Sequence, residues 1–119
     1  METSICLPYR TGVQDTDLIA VFGNLLDNAA EACMDLPPAQ RSISLSAHSR
    51  GGYLCIHMEN ACSPQGEMAR AARIDGLARG LGGLILSDIA RQYHGDFSAR
   101  AEGNTYVSDI TLLMDEALL

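Results

Sequence analysis

Two asparagines one helical turn apart, Asn24 and Asn28, and a third at the end of an alternating apolar run, Asn60, hold positions that ask for a chemical reason. Asparagine is a poor choice for a helix interior because its amide competes with the backbone. Asn24 and Asn28 nevertheless stand inside a helical pattern, on its polar side with Asp27 and Glu31. A carboxamide oxygen is a neutral, hard donor that suits Mg²⁺, an ion that keeps several waters and takes few protein groups beside phosphate oxygens. Asn28 is the candidate ligand; a solvated face with two tolerated asparagines is the plain alternative. A second feature is Gly80-Leu81-Gly82-Gly83 ahead of a helical run. Missing side chains there would let backbone N–H groups and a helix N-terminus meet an anionic phosphate, although a flexible loop has the same composition. Asn60 faces inward by the two-residue period of its strand. Its carboxamide can both accept and donate a hydrogen bond, or simply turn the chain.

The composition limits what these groups can serve. The 119-residue chain is of single-domain size, 47% hydrophobic and 19% charged, with a formal charge of −7. That charge repels a phosphate backbone, so no nucleic-acid partner is expected. All eight basic residues are Arg and none is Lys, which excludes a P-loop and any lysine-based catalysis. Cys6, Cys33, Cys55 and Cys62 form no C-x-x-C pair and read as reduced thiols. The apolar stretches Leu18 to Leu26 and Leu81 to Ile89 are too short and too interrupted to cross a bilayer, so no membrane insertion is expected and the domain is assigned to the cytoplasm.

The elements that would position these residues follow from periodicity. Ser4 to Tyr9 suits an edge strand. Asp15, Thr16 and Asp17 offer a helix cap and first-turn acids before Leu18, Val21, Phe22, Leu25, Ala29 and Cys33, a helical stripe that Pro37-Pro38 would end. Arg41 to His48 alternates, Gly51-Gly52 turns the chain, and Leu54, Ile56, Met58 and Asn60 share one face of the returning strand, with Cys55, His57 and Glu59 on the other. Residues 61–79 lose periodicity and read as a lid. A second helix is predicted to open directly after Gly80 to Gly83 and to stop at Gly95. Asp96 to Ala101 and Thr105 to Met114 then pair through Glu102-Gly103-Asn104. Two hairpins and two helices imply a two-layer α/β sandwich, a mixed, mainly antiparallel sheet covered by helices on one face.

With these elements in order, Asn24-Leu25-Leu26-Asp27-Asn28-Ala29-Ala30-Glu31-Ala32 resembles the N box of the GHKL superfamily, which includes histidine kinases, gyrase and MutL. Gly80-Leu81-Gly82-Gly83 resembles its G2 box, and Asn60 stands where the family usually carries the aspartate that accepts from the adenine amino group. Cys62 and Pro64 replace the G1 glycines, Gly83 replaces the leucine usual within G2, and the lid has no F box. Asparagine at the adenine position together with a short lid resembles the quorum- and peptide-sensing receptor kinases.

The resemblance implies a Bergerat fold over residues 1–119, with Asn24, Asn28, Asn60, Gly80, Gly82 and Gly83 binding ATP and Asn28 holding Mg²⁺. It implies the catalytic domain of a two-component sensor histidine kinase. Such a domain gives the γ-phosphate to a histidine on a separate helical domain, and a response regulator acts downstream. No catalytic residue is assigned within the chain. Relatives that hydrolyse ATP place a general-base glutamate where this chain has Asn24, and a neutral amide cannot take that proton. His48, His57 and His94 lack metal-site spacing, and none is followed by an acid on a helix as a phosphoacceptor would be. Arg70, Arg73 and Arg79 are either solvated lid charges or groups that reach a phosphate on closure. An anti-sigma-type serine kinase and a non-catalytic ATP-binding or interaction module are the alternatives.

Overall fold

A computed structural model describes residues 2–6, 12–34, 36–63 and 77–114. Strand β1 (Glu2–Ile5) leads to helix α1 (Asp15–Cys33), then to the hairpin of β2 (Ile43–Arg50) and β3 (Tyr53–Ala61). Helix α2 (Leu77–Gln92) precedes a second hairpin, β4 (Asp96–Glu102) and β5 (Thr105–Leu113). The five strands form one sheet in the order β1-β2-β3-β5-β4. β1 runs parallel to β2 and every other pair is antiparallel. The structure is the expected mixed sheet with two helices on one face.

Alternation decides which face is covered. Leu54, Ile56 and Met58 of β3 meet Val21, Leu25 and Ala29 of α1 and Leu86, Ile89 and Ala90 of α2 in one buried cluster, completed by Leu45 and Ala47 of β2 and Ile110 and Leu112 of β5. Each large aliphatic side chain removed from water there contributes about 1.5–3 kcal/mol. Gly51 and Gly52, at φ 59° and 84°, form the two-residue turn between β2 and β3, a backbone that side-chain-bearing residues resist.

Element ends depart from the sequence reading. β1 covers Glu2–Ile5, and residues 7–9 of the expected Ser4 to Tyr9 strand lie outside the described residues. The N-cap of α1 is Gln14, with no side-chain capping bond, and Asp15 and Asp17 occupy the first turn. α1 ends at Cys33, ahead of the prolines, and Pro37-Pro38 instead opens a 3-10 turn over Pro38–Gln40. α2 begins at Leu77, so Gly80, Gly82 and Gly83 lie within the helix and do not precede it. Local propensity misplaced that start, because glycine tolerates a helix that its surroundings stabilise, at a cost of about 1 kcal/mol against alanine. Most of the expected lid, including Arg70 and Arg73, lies outside the described residues.

The stop of α2 also differs in kind. His94 carries the left-handed φ, 55°, while Gly95 serves a close approach: a Cβ built there would stand 1.6 Å from the Thr111 carbonyl oxygen. The Gly95 N–H donates to the carbonyl of Ala90 at 2.8 Å, closing the helix end.

Candidate functional site

The apolar stripe of α1 buries Val21, Leu25, Ala29, Ala32 and Cys33. Asn24 and Asn28 flank that stripe and are half-buried, whereas Asp27 and Glu31 are exposed. A helical period of 3.6 residues puts Asp17 on the same flank, seven residues before Asn24 and eleven before Asn28. Asn24 donates its amide to the carbonyl of Ala20 at 2.7 Å, which fixes the carboxamide and leaves its oxygen pointing away from the helix backbone. Among the described residues the Asn28 carboxamide makes no hydrogen bond, although it is half-buried. A partly buried amide without partners is costly, and its oxygen is the kind of donor that Mg²⁺ accepts.

Helix α2 packs against α1 and reaches β4 and β5. The two helices run in opposite senses, because Tyr93, just past the end of α2, meets the start of α1. The Tyr93 hydroxyl donates to Asp17 Oδ2 at 2.5 Å and accepts from the Gln14 N–H at 3.1 Å. Burial first, and then the hydrogen bond to Asp17, raise the Tyr93 pKa above its ordinary 10.0, so the phenol keeps its proton. From that junction Asn28 lies about 16 Å along α1 and Gly83 about 15 Å back along α2. The opposite senses therefore bring the asparagine flank and the glycine-bearing part of α2 to the same end of the interhelical groove. Among the described residues, a methyl group added at Gly83 would meet no atom within 4 Å, so the space in front of it is open to them.

Asn60 faces the covered side of the sheet and is 3% exposed, as its strand period requires. Its amide donates to the carbonyl of Ala61 at 3.1 Å, leaving the side-chain oxygen as a free acceptor among the described residues. The last turn of α1 is tied to this strand end, since the Cys33 thiol lies 3.6 Å from the carbonyls of both Ser42 and Ala61. Asn28 is five residues, about 7.5 Å along the axis, before Cys33. Asn60, Asn28 and the glycines of α2 thus occupy one end of the molecule. A cleft of about 440 Å³ borders that strand end, lined by Leu36, Gln40, Ala61, Cys62, Ser63 and Asn104.

The family model described as GHKL domain matches residues 13–113. The chain belongs to the GHKL family. The GHKL fold recurs in solved structures. One is the Acinetobacter baumannii histidine kinase AdeS, 16% identical with a TM-score of 0.68, covering 97% of this chain and 54% of that one. Another is the catalytic domain of histidine kinase ThkA, 17% identical with a TM-score of 0.69, covering 94% and 77%. Full-length ShkA in complex with AMPPNP is 21% identical with a TM-score of 0.65, covering 99% and 26%. This GHKL domain therefore spans about half of AdeS and a quarter of ShkA. No curated protein matches the chain in sequence. No helix among the described residues is long and apolar enough to cross a membrane.

One polar cluster of the GHKL domain escaped the sequence reading. On the open face of the sheet His57 Nδ1 lies 2.5 Å from Asp109 Oδ1, and Nε2 lies 3.1 Å from Glu59 Oε1. Arg100 bonds Glu102 at 2.6 Å and lies 3.6 Å from Asp109. Burial pulls the His57 pKa down, but the hydrogen bonds and negative charges of Asp109 and Glu59 outweigh it and leave the pKa above 6.5. The alternation of β3 signals that His57 shares a face with Glu59; nothing local signals Asp109, 52 residues away. No group of three or more His, Cys, Asp or Glu among the described residues is arranged to hold a metal ion.

Proposed function

We propose that this chain, over residues 1–119, is the ATP-binding catalytic domain of a bacterial two-component sensor histidine kinase. The half-buried Asn28 carboxamide, without a partner among the described residues and level with the open space at Gly83, carries this reading. On it, Asn60 accepts from the adenine amino group, Asn24 and Asn28 face the phosphates, and Gly80, Gly82 and Gly83 let the phosphates approach the backbone of α2. Mg²⁺ held through Asn28 would neutralise triphosphate charge, the principal requirement of phosphoryl transfer. The histidine kinases among the structural relatives, one of them complexed with AMPPNP, support the same reading.

The acceptor histidine belongs to a helical domain outside this chain, and a response regulator would receive the phosphate in turn. None of His48, His57 and His94 suits that role, because all stand on strands or at a helix end. Within the histidine kinases, asparagine at position 60 together with a short lid favours the quorum- and peptide-sensing receptor subgroup, on which reading the chain is a cytoplasmic domain of a membrane-bound protein.

Calorimetry with ADP and ATP, with and without Mg²⁺, tests the site. At a ligand concentration one hundred times the dissociation constant, the fold gains about 2.7 kcal/mol. Asn28→Ala should lose the Mg²⁺-dependent part of the affinity and keep the remainder. A flat thermal-shift titration to millimolar nucleotide would remove the nucleotide reading. Transfer of label to a serine of another protein, instead of to a histidine of the fused helical domain, would replace histidine kinase with serine kinase.

A further inference from the structure

Tyr93 stands just past the end of α2, far from the glycines, yet its hydroxyl bonds the start of α1. Its ring packs on the core cluster, and its backbone carbonyl accepts from the Leu113 N–H at 2.8 Å, so β5 holds the residue in place. Its hydroxyl then takes two partners on α1. It accepts from the Gln14 N–H, at a helix start whose N-cap side chain makes no capping bond, and it donates to Asp17. A hydrogen bond to a carboxylate is among the stronger kinds, and this one crosses 76 residues of sequence.

Asp17, Asn24 and Asn28 lie on one flank of one rigid helix, at spacings of two turns and one turn. A rotation of α1 about its own axis that carried Asp17 away from Tyr93 would swing both carboxamides by the same angle. The packed core stripe of α1 and the Cys33 thiol's contacts with Ser42 and Ala61 hold the far end of the helix, and Tyr93 acts at its start. A hydrogen bond from a fixed phenol is directional.

We infer that Tyr93 is a positioning residue: through its bonds to Asp17 and Gln14 it sets the rotation of α1, and so the stance of Asn24 and Asn28 toward the glycine end of α2. This rests on the nucleotide reading above for its consequence, but its geometry is testable without nucleotide. Tyr93→Phe keeps the ring and its packing and removes both bonds. Asp17→Ala removes the acceptor alone, and Asp17→Asn restores a side-chain oxygen that the phenol can still reach.

The test reads the side-chain amide resonances of Asn24, Asn28, Asn60 and Asn104 in the nucleotide-free chain, followed by titration with ADP in the presence and absence of Mg²⁺. Tyr93→Phe and Asp17→Ala should each move or broaden the Asn24 and Asn28 signals while Asn60 and Asn104 hold theirs, and Asp17→Asn should restore the wild-type pattern. Mg²⁺-ADP affinity should fall by roughly three- to tenfold, the scale of effect for residues that touch neither ligand, with Mg²⁺-free affinity changing less. Combining Tyr93→Phe with Asp17→Ala should add nothing further. Unchanged Asn24 and Asn28 signals, or equal disturbance of all four asparagines, would overturn the inference and leave Tyr93 a stabilising contact. If the wild-type chain binds no nucleotide, the nucleotide reading falls, while the four resonances still decide whether Tyr93 orients α1.

Discussion

The covered face of the sheet holds few polar side chains and leaves them short of partners, whereas the open face holds many and pairs them with one another. Asn60 and Ser108 are the buried polar residues among those described, and the Asn60 amide reaches no further than the neighbouring carbonyl of Ala61. On the open side His57, Asp109, Glu59, Arg100 and Glu102 form a chain of contacts across three strands. Val107 shares that face yet is 2% exposed, between Glu59 and Arg100 in register, so the charged side chains cover it. The asymmetry separates a buried polar group that makes a single neighbouring bond from surface polar groups that pair with one another.

The largest expected contrast is in packing. Ile56→Ala, at 1% exposure on the covered face, should cost about 2–5 kcal/mol in urea unfolding. Thr111→Ala on the open face should change stability by about 1 kcal/mol or less. Comparable losses would mean that the open face is itself covered in solution.

Asn60→Leu should act with the opposite sign. Replacing a poorly satisfied buried amide with an apolar side chain of similar size should raise stability by about 1 kcal/mol, while the preference for adenine over guanine nucleotides disappears. A loss of stability would show that Asn60 is kept for the fold. Gly83→Ala extends the contrast to α2. An added methyl in open space should stabilise the helix by about 0.5–1 kcal/mol and weaken nucleotide binding, as read by paired melting and calorimetry.

The smallest effect belongs to His57. Its folded pKa lies above 6.5, so the protonated ring is favoured in the native state. The stability it contributes is fully present below the unfolded value and is lost as pH rises through the folded one. The stability difference between wild type and His57→Gln should therefore be greatest below the ordinary pKa of 6.5 and shrink as pH rises above it. The pair is more than a third exposed, so the difference should be modest and should shrink in salt. A difference that grew with pH would contradict the raised pKa.

The sequence by itself determined the elements and their faces. The period of two placed Leu54, Ile56, Met58 and Asn60 together, the period of 3.6 set Asn24 and Asn28 beside the apolar stripe, and Gly51-Gly52 marked the hairpin. These are local signals, because a side chain's direction follows from its own backbone. Tertiary structure decided whatever depends on elements meeting. Strand order brought Asp109 to His57, and the packing of α2 on α1 brought the Tyr93 hydroxyl to Asp17 and to the Gln14 N–H. Contact with β5 made Gly95 necessary for space, leaving the left-handed turn to His94. Helix packing also drew the glycines at 80, 82 and 83 into α2, since burial of Leu86, Ile89 and Ala90 outweighs the poor propensity of the residues before them.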